Sequence, residues 1–236
     1  MLSIRHIDAY YGDVQVLFDI NVDVAAGELI SIIGPNSAGK STLLNSVLGL
    51  VKTTKNDKGG GIFFNGVELT SLNTEKIIAQ GISIVPEGAR VFPDMSVYDN
   101  LYLGGYVRKD NTEATMNEVF EMFPRVKERL KQPAKTMSGG ERQMLCIGRA
   151  LMSNPKLIIF DEPSLGLQPS IVLQIFDIIK RIHEKGVTIL LVEQNVNHTL
   201  TITERTYVLE HGKIVREGKS ADLIGDDYVR KTYLAI

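Results

Sequence analysis

The residues Gly34-Pro35-Asn36-Ser37-Ala38-Gly39-Lys40-Ser41 fit the pattern G-x-x-x-x-G-K-[ST], in which backbone N–H groups cradle phosphates while a lysine and a hydroxyl complete the site. On this reading Lys40 reaches the β- and γ-phosphates of a nucleotide, the Ser41 hydroxyl ligates Mg²⁺, and Thr42 continues the binding turn. The flanks suit the task. Leu29-Ile30-Ser31-Ile32-Ile33 reads as a buried strand, and residues 42–48 read as a helix. A bound phosphate would then sit at a helix N-terminus, where N–H groups and the dipole favour negative charge.

Two further constellations lie downstream. Leu157-Ile158-Ile159-Phe160-Asp161-Glu162 is an apolar run ending in two carboxylates. An aspartate at such a strand end can hold Mg²⁺ beside a phosphate loop, and Glu162 next to it is placed to polarise an attacking water as general base. Taken alone, the run is equally a strand stopped by solvated charges; the phosphate loop is what gives it chemistry. Met137-Ser138-Gly139-Gly140-Glu141 contains an S-x-x-E capping box, which would start a helix whatever the function. Ser138, Gly139, Gly140 and Glu141 also leave the N–H groups of that helix start approachable, and so form a second candidate anion site. With two phosphate-facing surfaces far apart in one chain, two chains could sandwich two nucleotides head to tail.

These groups need a frame. Residues 2–7 and 20–24 alternate apolar and polar positions and read as strands, separated from the phosphate loop by the Ala26-Gly27-Glu28 turn. Residues 52–61, rich in Lys, Thr and Gly, read as an exposed loop; 62–64 return to strand and close at an Asn65-Gly66 turn. Residues 82–85 form a further short strand. From about residue 88 to 153 the pattern is helical, clearest over 112–123 and 141–153 and punctuated by Pro124 and Pro133. Beyond Pro155 a strand at 157–160, a helix at 170–184 and a strand at 187–192 follow, then short strands at 206–209 and 213–216 around a His211-Gly212 turn. Strands alternating with helices imply an α/β fold with a mostly parallel sheet, here with a helical insertion.

Composition narrows the class. The 236 residues are 44% hydrophobic and 23% charged, with 26 basic and 28 acidic side chains giving a net charge of −2. That is ordinary globular composition, without the basic surplus of a nucleic-acid binder. The single cysteine, Cys146, leaves no internal disulfide and fits a reducing compartment. No apolar run reaches bilayer length, so a cytoplasmic chain is expected, with any membrane supplied by other subunits. Cys146 reads as core packing, and His6, His183 and His211 show no metal-ligand spacing.

In their order and over essentially the whole chain, these motifs resemble the ATP-binding-cassette ATPase subunits. The resemblance implies ATP and Mg²⁺ as cofactors and a phosphate-loop ATPase core carrying an N-terminal antiparallel β subdomain. It implies one cassette over residues 1–236, with 1–87 and 154–236 as the nucleotide-binding core and 88–153 as the helical signature subdomain. Tyr11 falls where the family stacks an aromatic ring on adenine, and Ser164-Leu165-Gly166-Leu167 matches the loop that crosses to the partner subunit. Val85-Pro86-Glu87-Gly88, Arg90-Val91-Phe92-Pro93, Glu162–Leu167 and Val192-Glu193-Gln194-Asn195 are similar, more narrowly, to one ATPase subunit of branched-chain amino-acid importers. The implied partners are a second, homologous or identical ATPase subunit, two membrane permeases docking on the helical insertion and the segment after Glu87, and indirectly an external solute-binding protein. The implied location is the inner face of the cell membrane.

Four positions depart from the broad family, which carries Gln, Gln, Asp and His where this chain has Glu87, Glu141, Gln168 and Gln194. Glu87 is expected at Mg²⁺ or its water. Gln194 is expected to meet the γ-phosphate through its amide, without the charge change that histidine offers. Gln168 is expected to weaken the cross-subunit contact. Ser37 replaces a glycine and is strained if its φ is positive. The rivals are a soluble nucleotide-gated clamp, against which the lack of a long coiled-coil insertion and of a basic surplus argues, and a regulatory subunit without hydrolysis, against which Glu162 argues. Cargo is not written in these residues: other amino acids, amides and urea stay open beside the branched-chain amino acids.

Overall fold

A computed structural model of the chain describes residues 1–55 and 59–234. They form two compact units, one made of the described residues within 1–80 and 188–234, the other of residues 81–187.

The first unit holds two sheets. In the antiparallel one, Leu2–Tyr11 lies between Val14–Val24 and Gly61–Phe64, with Val67–Glu68 beyond. Both long strands are bulged: their register shifts between Ile4 and Ile7 and again between Ile7 and Ala9, and His6 and Asp19 adopt φ of 49° and 50°. The bulges let Ile4, Ile7 and Ala9 all face the core despite uneven spacing. The stretch expected as a loop is corrected here. Lys52–Lys55 pairs antiparallel with Ile7–Tyr10, and Gly61 opens the next strand; residues 56–58 lie outside the described ones. Lysine and glycine suggested solvent, but Thr53 and Thr54 are β-branched and half-buried against a neighbour distant in sequence.

The second sheet of this unit runs Lys213–Lys219, Arg205–Glu210, Leu29–Ile33, Thr188–Glu193, and the last three strands are parallel. Leu29–Ile33 and Thr188–Glu193 are buried at every position, as strands covered on both faces must be. Helices Lys40–Val47 and Val196–Ile202 each continue from one of them across a short loop. Near the C-terminus, the Tyr228 and Tyr233 hydroxyls both donate to the Glu210 carboxylate, which ties the last described turns to the Arg205–Glu210 strand.

The second unit contains the parallel pair Ile82–Val85 and Leu157–Asp161, with helices Val97–Gly104, Glu113–Met122, Gly139–Leu151 and Pro169–Glu184. Glycine sets how closely these helices approach. A Cβ on Gly104 would lie 2.0 Å from the Arg149 carbonyl oxygen, and one on Gly148 3.0 Å from both Leu101 and Val119. Cys146 is buried in this helical core, as expected, and burial pushes its thiol pKa up. The fold class is the one expected: α/β, with a mostly parallel sheet, an antiparallel β sheet near the N-terminus and a helical region. Among the described residues no helix is long and apolar enough to cross a membrane.

Candidate nucleotide site

At the carboxyl end of Leu29–Ile33 the chain turns directly into the phosphate loop. Pro35, Asn36 and Ser37 form an exposed lip, while Gly34, Ala38, Gly39 and Lys40 are buried. Ser37 and Gly39 both have positive φ, 64° and 107°. Such left-handed residues turn successive N–H groups toward a common concavity, the geometry of an anion nest. The strain expected at Ser37 is therefore present. Two glycines have no substitute: a Cβ on Gly34 would lie 2.1 Å from the Leu209 carbonyl oxygen, and one on Gly39 2.7 Å from Leu17 Cδ2.

The Lys40 ammonium arches back over the loop and donates to the carbonyls of Gly34 at 2.9 Å and Pro35 at 3.0 Å. Its helix, Lys40–Val47, starts at Gly39 without a side-chain cap. The first N–H groups of any helix find no acceptor within it, so this end keeps its positive dipole against the loop. Ser41 stands exposed in the first turn, and Thr42 is buried behind it.

Sequence reading saw Gly212 only as a turn residue. Its N–H donates to the Ala38 carbonyl at 2.8 Å, its carbonyl accepts from Phe18 N–H at 2.8 Å, and a Cβ there would lie 1.9 Å from the Val16 carbonyl oxygen. It props the phosphate loop from below. No local signal separates such a glycine from any other in a turn.

Gln194 follows Thr188–Glu193, which pairs with Leu29–Ile33 in the register Ile33 to Glu193. Gly34 and Gln194 therefore leave neighbouring parallel strands at the same level, on the carboxyl edge where open α/β sheets bind their ligands. Gln194 is exposed. Tyr11 ends the first strand, paired with Val14 across the Gly12 turn, and the residue is 51% exposed.

The second unit repeats this edge geometry. Ile82–Val85 pairs with Leu157–Asp161 in the register Val85 to Phe160, so Glu87 and Glu162 both lie just past carboxyl ends of adjacent strands. Asp161 closes its strand half-buried. Glu162 follows, 7% exposed, at φ 46°, a left-handed conformation unusual for glutamate. The Glu162 carbonyl accepts from Leu165 N–H at 3.2 Å and the Ser164 carbonyl from Leu167 N–H at 3.3 Å. This turn leads to Gln168, the N-cap of Pro169–Glu184, whose side chain makes no capping bond. Glu87 meets Arg90 through its carbonyl, which accepts from Arg90 Nε at 3.2 Å.

The capping box forms as read. Ser138 Oγ accepts from Glu141 N–H at 3.3 Å, and a Glu141 carboxylate oxygen accepts from Ser138 N–H at 2.9 Å. Arg129 Nε lies 3.0 Å from Glu141. The Ser138 N–H bond holds the Glu141 carboxyl below the usual carboxylate range despite partial burial, and Arg129 adds to the effect. Gly140 is held tightly, since a Cβ there would lie 2.9 Å from Ile171, whereas at Gly139 the nearest atom would be 3.9 Å away, on Leu167. The first turn is thus packed on one glycine and open on the other.

The first unit therefore brings the phosphate loop and Gln194 together at the carboxyl ends of its parallel strands, and within the second unit Glu87, Asp161 and Glu162 come together just past the carboxyl ends of its own strand pair. The Ser41 hydroxyl in the first unit and the Asp161 and Glu87 carboxylates in the second are each hard oxygen donors. They suit Mg²⁺, which is usually bound by one or two carboxylates together with substrate phosphates.

Residues 17–165 match the protein-family model described as ABC transporter. Over 235 residues, 99% of each chain, the sequence is 48% identical to the high-affinity branched-chain amino acid transport ATP-binding protein BraG of Pseudomonas aeruginosa. Among solved structures, an ATP-binding cassette of an ABC transporter in its ADP conformation is similar with a TM-score of 0.85 at 26% identity, covering 100% of this chain and 99% of that one. A dimeric cassette in a post-hydrolysis state, bound to ADP and Pi, gives 0.81 at 25% identity, covering 93% and 99%.

Proposed function

This chain belongs to the ABC transporter family, and from that premise we propose that it is the ATP-hydrolysing subunit of an importer for branched-chain or related amino acids. The phosphate loop, with Lys40 arched over it at a helix N-terminus, supports ATP as the nucleotide. Full-length similarity to BraG supports the cargo class.

The roles follow from the chemistry of each group. Residues 34–42 cradle the phosphates, Lys40 neutralises the β/γ end, and the exposed Tyr11 offers its ring to adenine. Ser41, Asp161 and Glu87 would hold Mg²⁺, which spreads the charge developing on the phosphate oxygens when it is bound. Glu162 takes a proton from the attacking water, and Gln194 donates its amide N–H to the γ-phosphate. Ser138, Gly139, Gly140 and Glu141 face the nucleotide of a second subunit in a head-to-tail dimer; the likeness to a dimeric cassette supports the dimer. On this reading two membrane permeases dock on the helical region and on the segment after Glu87, fed by an external solute-binding protein, and the chain sits on the cytoplasmic face.

Pull-down of the tagged chain from detergent-solubilised membranes tests the transport reading. Permease-type membrane proteins should accompany it, and cells lacking the chain should lose uptake of labelled leucine, isoleucine or valine. Recovery of the chain without any membrane protein, with uptake intact, would favour a soluble nucleotide-gated clamp instead.

A further inference from the structure

Glu193 is a carboxylate that is 2% exposed at the end of a strand otherwise made of Thr188 and apolar residues. Its Oε2 accepts from Gln194 N–H at 2.9 Å and from Asn195 N–H at 3.1 Å. The remaining backbone groups of this loop are also engaged. The Gln194 carbonyl accepts from Val196 N–H at 2.9 Å, across an Asn195 whose φ of −77° and ψ of 76° describe an inverse γ-turn. The Asn195 carbonyl accepts from Thr199 N–H at 3.0 Å and from Thr199 Oγ1 at 2.8 Å, and Asn195 Oδ1 accepts from His198 N–H at 3.4 Å. The Gln194 backbone is thereby fixed on both sides, in a residue that lies exposed at the sheet's carboxyl edge. Because Glu193 pairs with Ile33, the fixed point lies level with the root of the phosphate loop.

We propose that Glu193 is a positioning residue for ATP hydrolysis: its buried carboxylate locks the Gln194–Asn195 backbone so that the Gln194 amide is aimed beside the phosphate loop. A charged acceptor suits this role, because a carboxylate binds N–H groups more strongly than an amide oxygen does and burial excludes competing water. The proposal rests on the reading that Gln194 meets the γ-phosphate, and a double-mutant cycle separates the two.

Steady-state ATPase assays on the full chain would compare wild type, Glu193→Gln, Gln194→Ala and the double variant, with a fluorescent ATP analogue reporting binding. Misaiming a group by an ångström can cost roughly 10²-fold, so Glu193→Gln should lower kcat about tenfold to a hundredfold while KM and analogue affinity change less than about twofold. In the Gln194→Ala background, Glu193→Gln should have almost no further effect. Glu193→Asp, which keeps the charge and can still accept from an N–H two residues on, should recover most of the rate. Equal losses from Glu193→Gln in both backgrounds would overturn the positioning role while leaving Gln194 in place. An unchanged kcat in Gln194→Ala would remove the reading of Gln194 and the proposal with it. Loss of analogue binding in both Glu193→Gln and Glu193→Asp would mark Glu193 as a structural support of the loop, and would also overturn the proposal.

Discussion

Ser37 stands at φ 64° in the lip of the phosphate loop, where a side chain crowds the backbone by roughly 1–2 kcal/mol. Ser37→Gly relieves that strain but adds freedom to the unfolded chain, so urea unfolding should show a gain of no more than about 1 kcal/mol. A loss larger than about 1 kcal/mol would mean that the Ser37 side chain makes a bond worth more than the strain. Gln194 supports a second expectation. An amide keeps its hydrogen-bonding character across neutral pH, whereas histidine, with an ordinary pKa of about 6.5, does not. Hydrolysis should accordingly vary little between pH ~6 and ~8, and Gln194→His should introduce a pH dependence in that window; an identical pH profile for the two proteins would count against contact with the phosphate. At this scale the sequence was legible where a motif fixes spacing, as at residues 34–41, and where a box fixes geometry, as at Ser138 and Glu141. It was silent on Gly212, whose partners Ala38 and Phe18 lie far along the chain, and on Glu193, whose bonds to the next two N–H groups are local but whose burial comes with a strand paired to the distant Leu29–Ile33.

The signature helix Gly139–Leu151 begins on the bonds between Ser138 and Glu141, and losing a serine cap typically costs about 1 kcal/mol. Ser138→Ala should therefore lower stability by about that amount, with the far-UV spectrum kept. Glu141 adds a pH signature. Its carboxyl is held below the ordinary 4.5, first by the Ser138 N–H and further by Arg129, against the opposing effect of burial. A depressed value in the folded state means that its contribution is full above the unfolded value, near 4.5, and is lost as pH falls through the folded one. The acid limb of a stability-versus-pH curve should consequently be shallower for Glu141→Gln than for wild type; superimposable limbs would show that the box carries no charge-dependent stability. Other elements were partly hidden from the sequence. The parallel strands announced themselves as apolar runs because both faces are buried. The bulges at His6 and Asp19 broke the period-two pattern, and Lys52–Lys55 looked like loop because a sheet edge tolerates lysine.

The whole chain is a cassette whose sheet edges present phosphate-binding and carboxylate-bearing loops, and its family membership makes ATP turnover the activity on which every other part of the account depends. If Glu162 is the base, Glu162→Gln should bind ATP yet hold it, so that sizing chromatography with Mg·ATP shows a dimer that wild type populates only briefly. The most direct measurement is phosphate release at saturating Mg·ATP by the tagged chain isolated with its membrane partners, wild type beside Glu162→Gln at equal ATP occupancy. Removing a general base slows chemistry by roughly 10²–10⁴, so wild type should turn over steadily while the variant falls by a factor in that range with ATP still bound. Equal phosphate release by the two proteins, or none from wild type with ATP bound, would contradict the account.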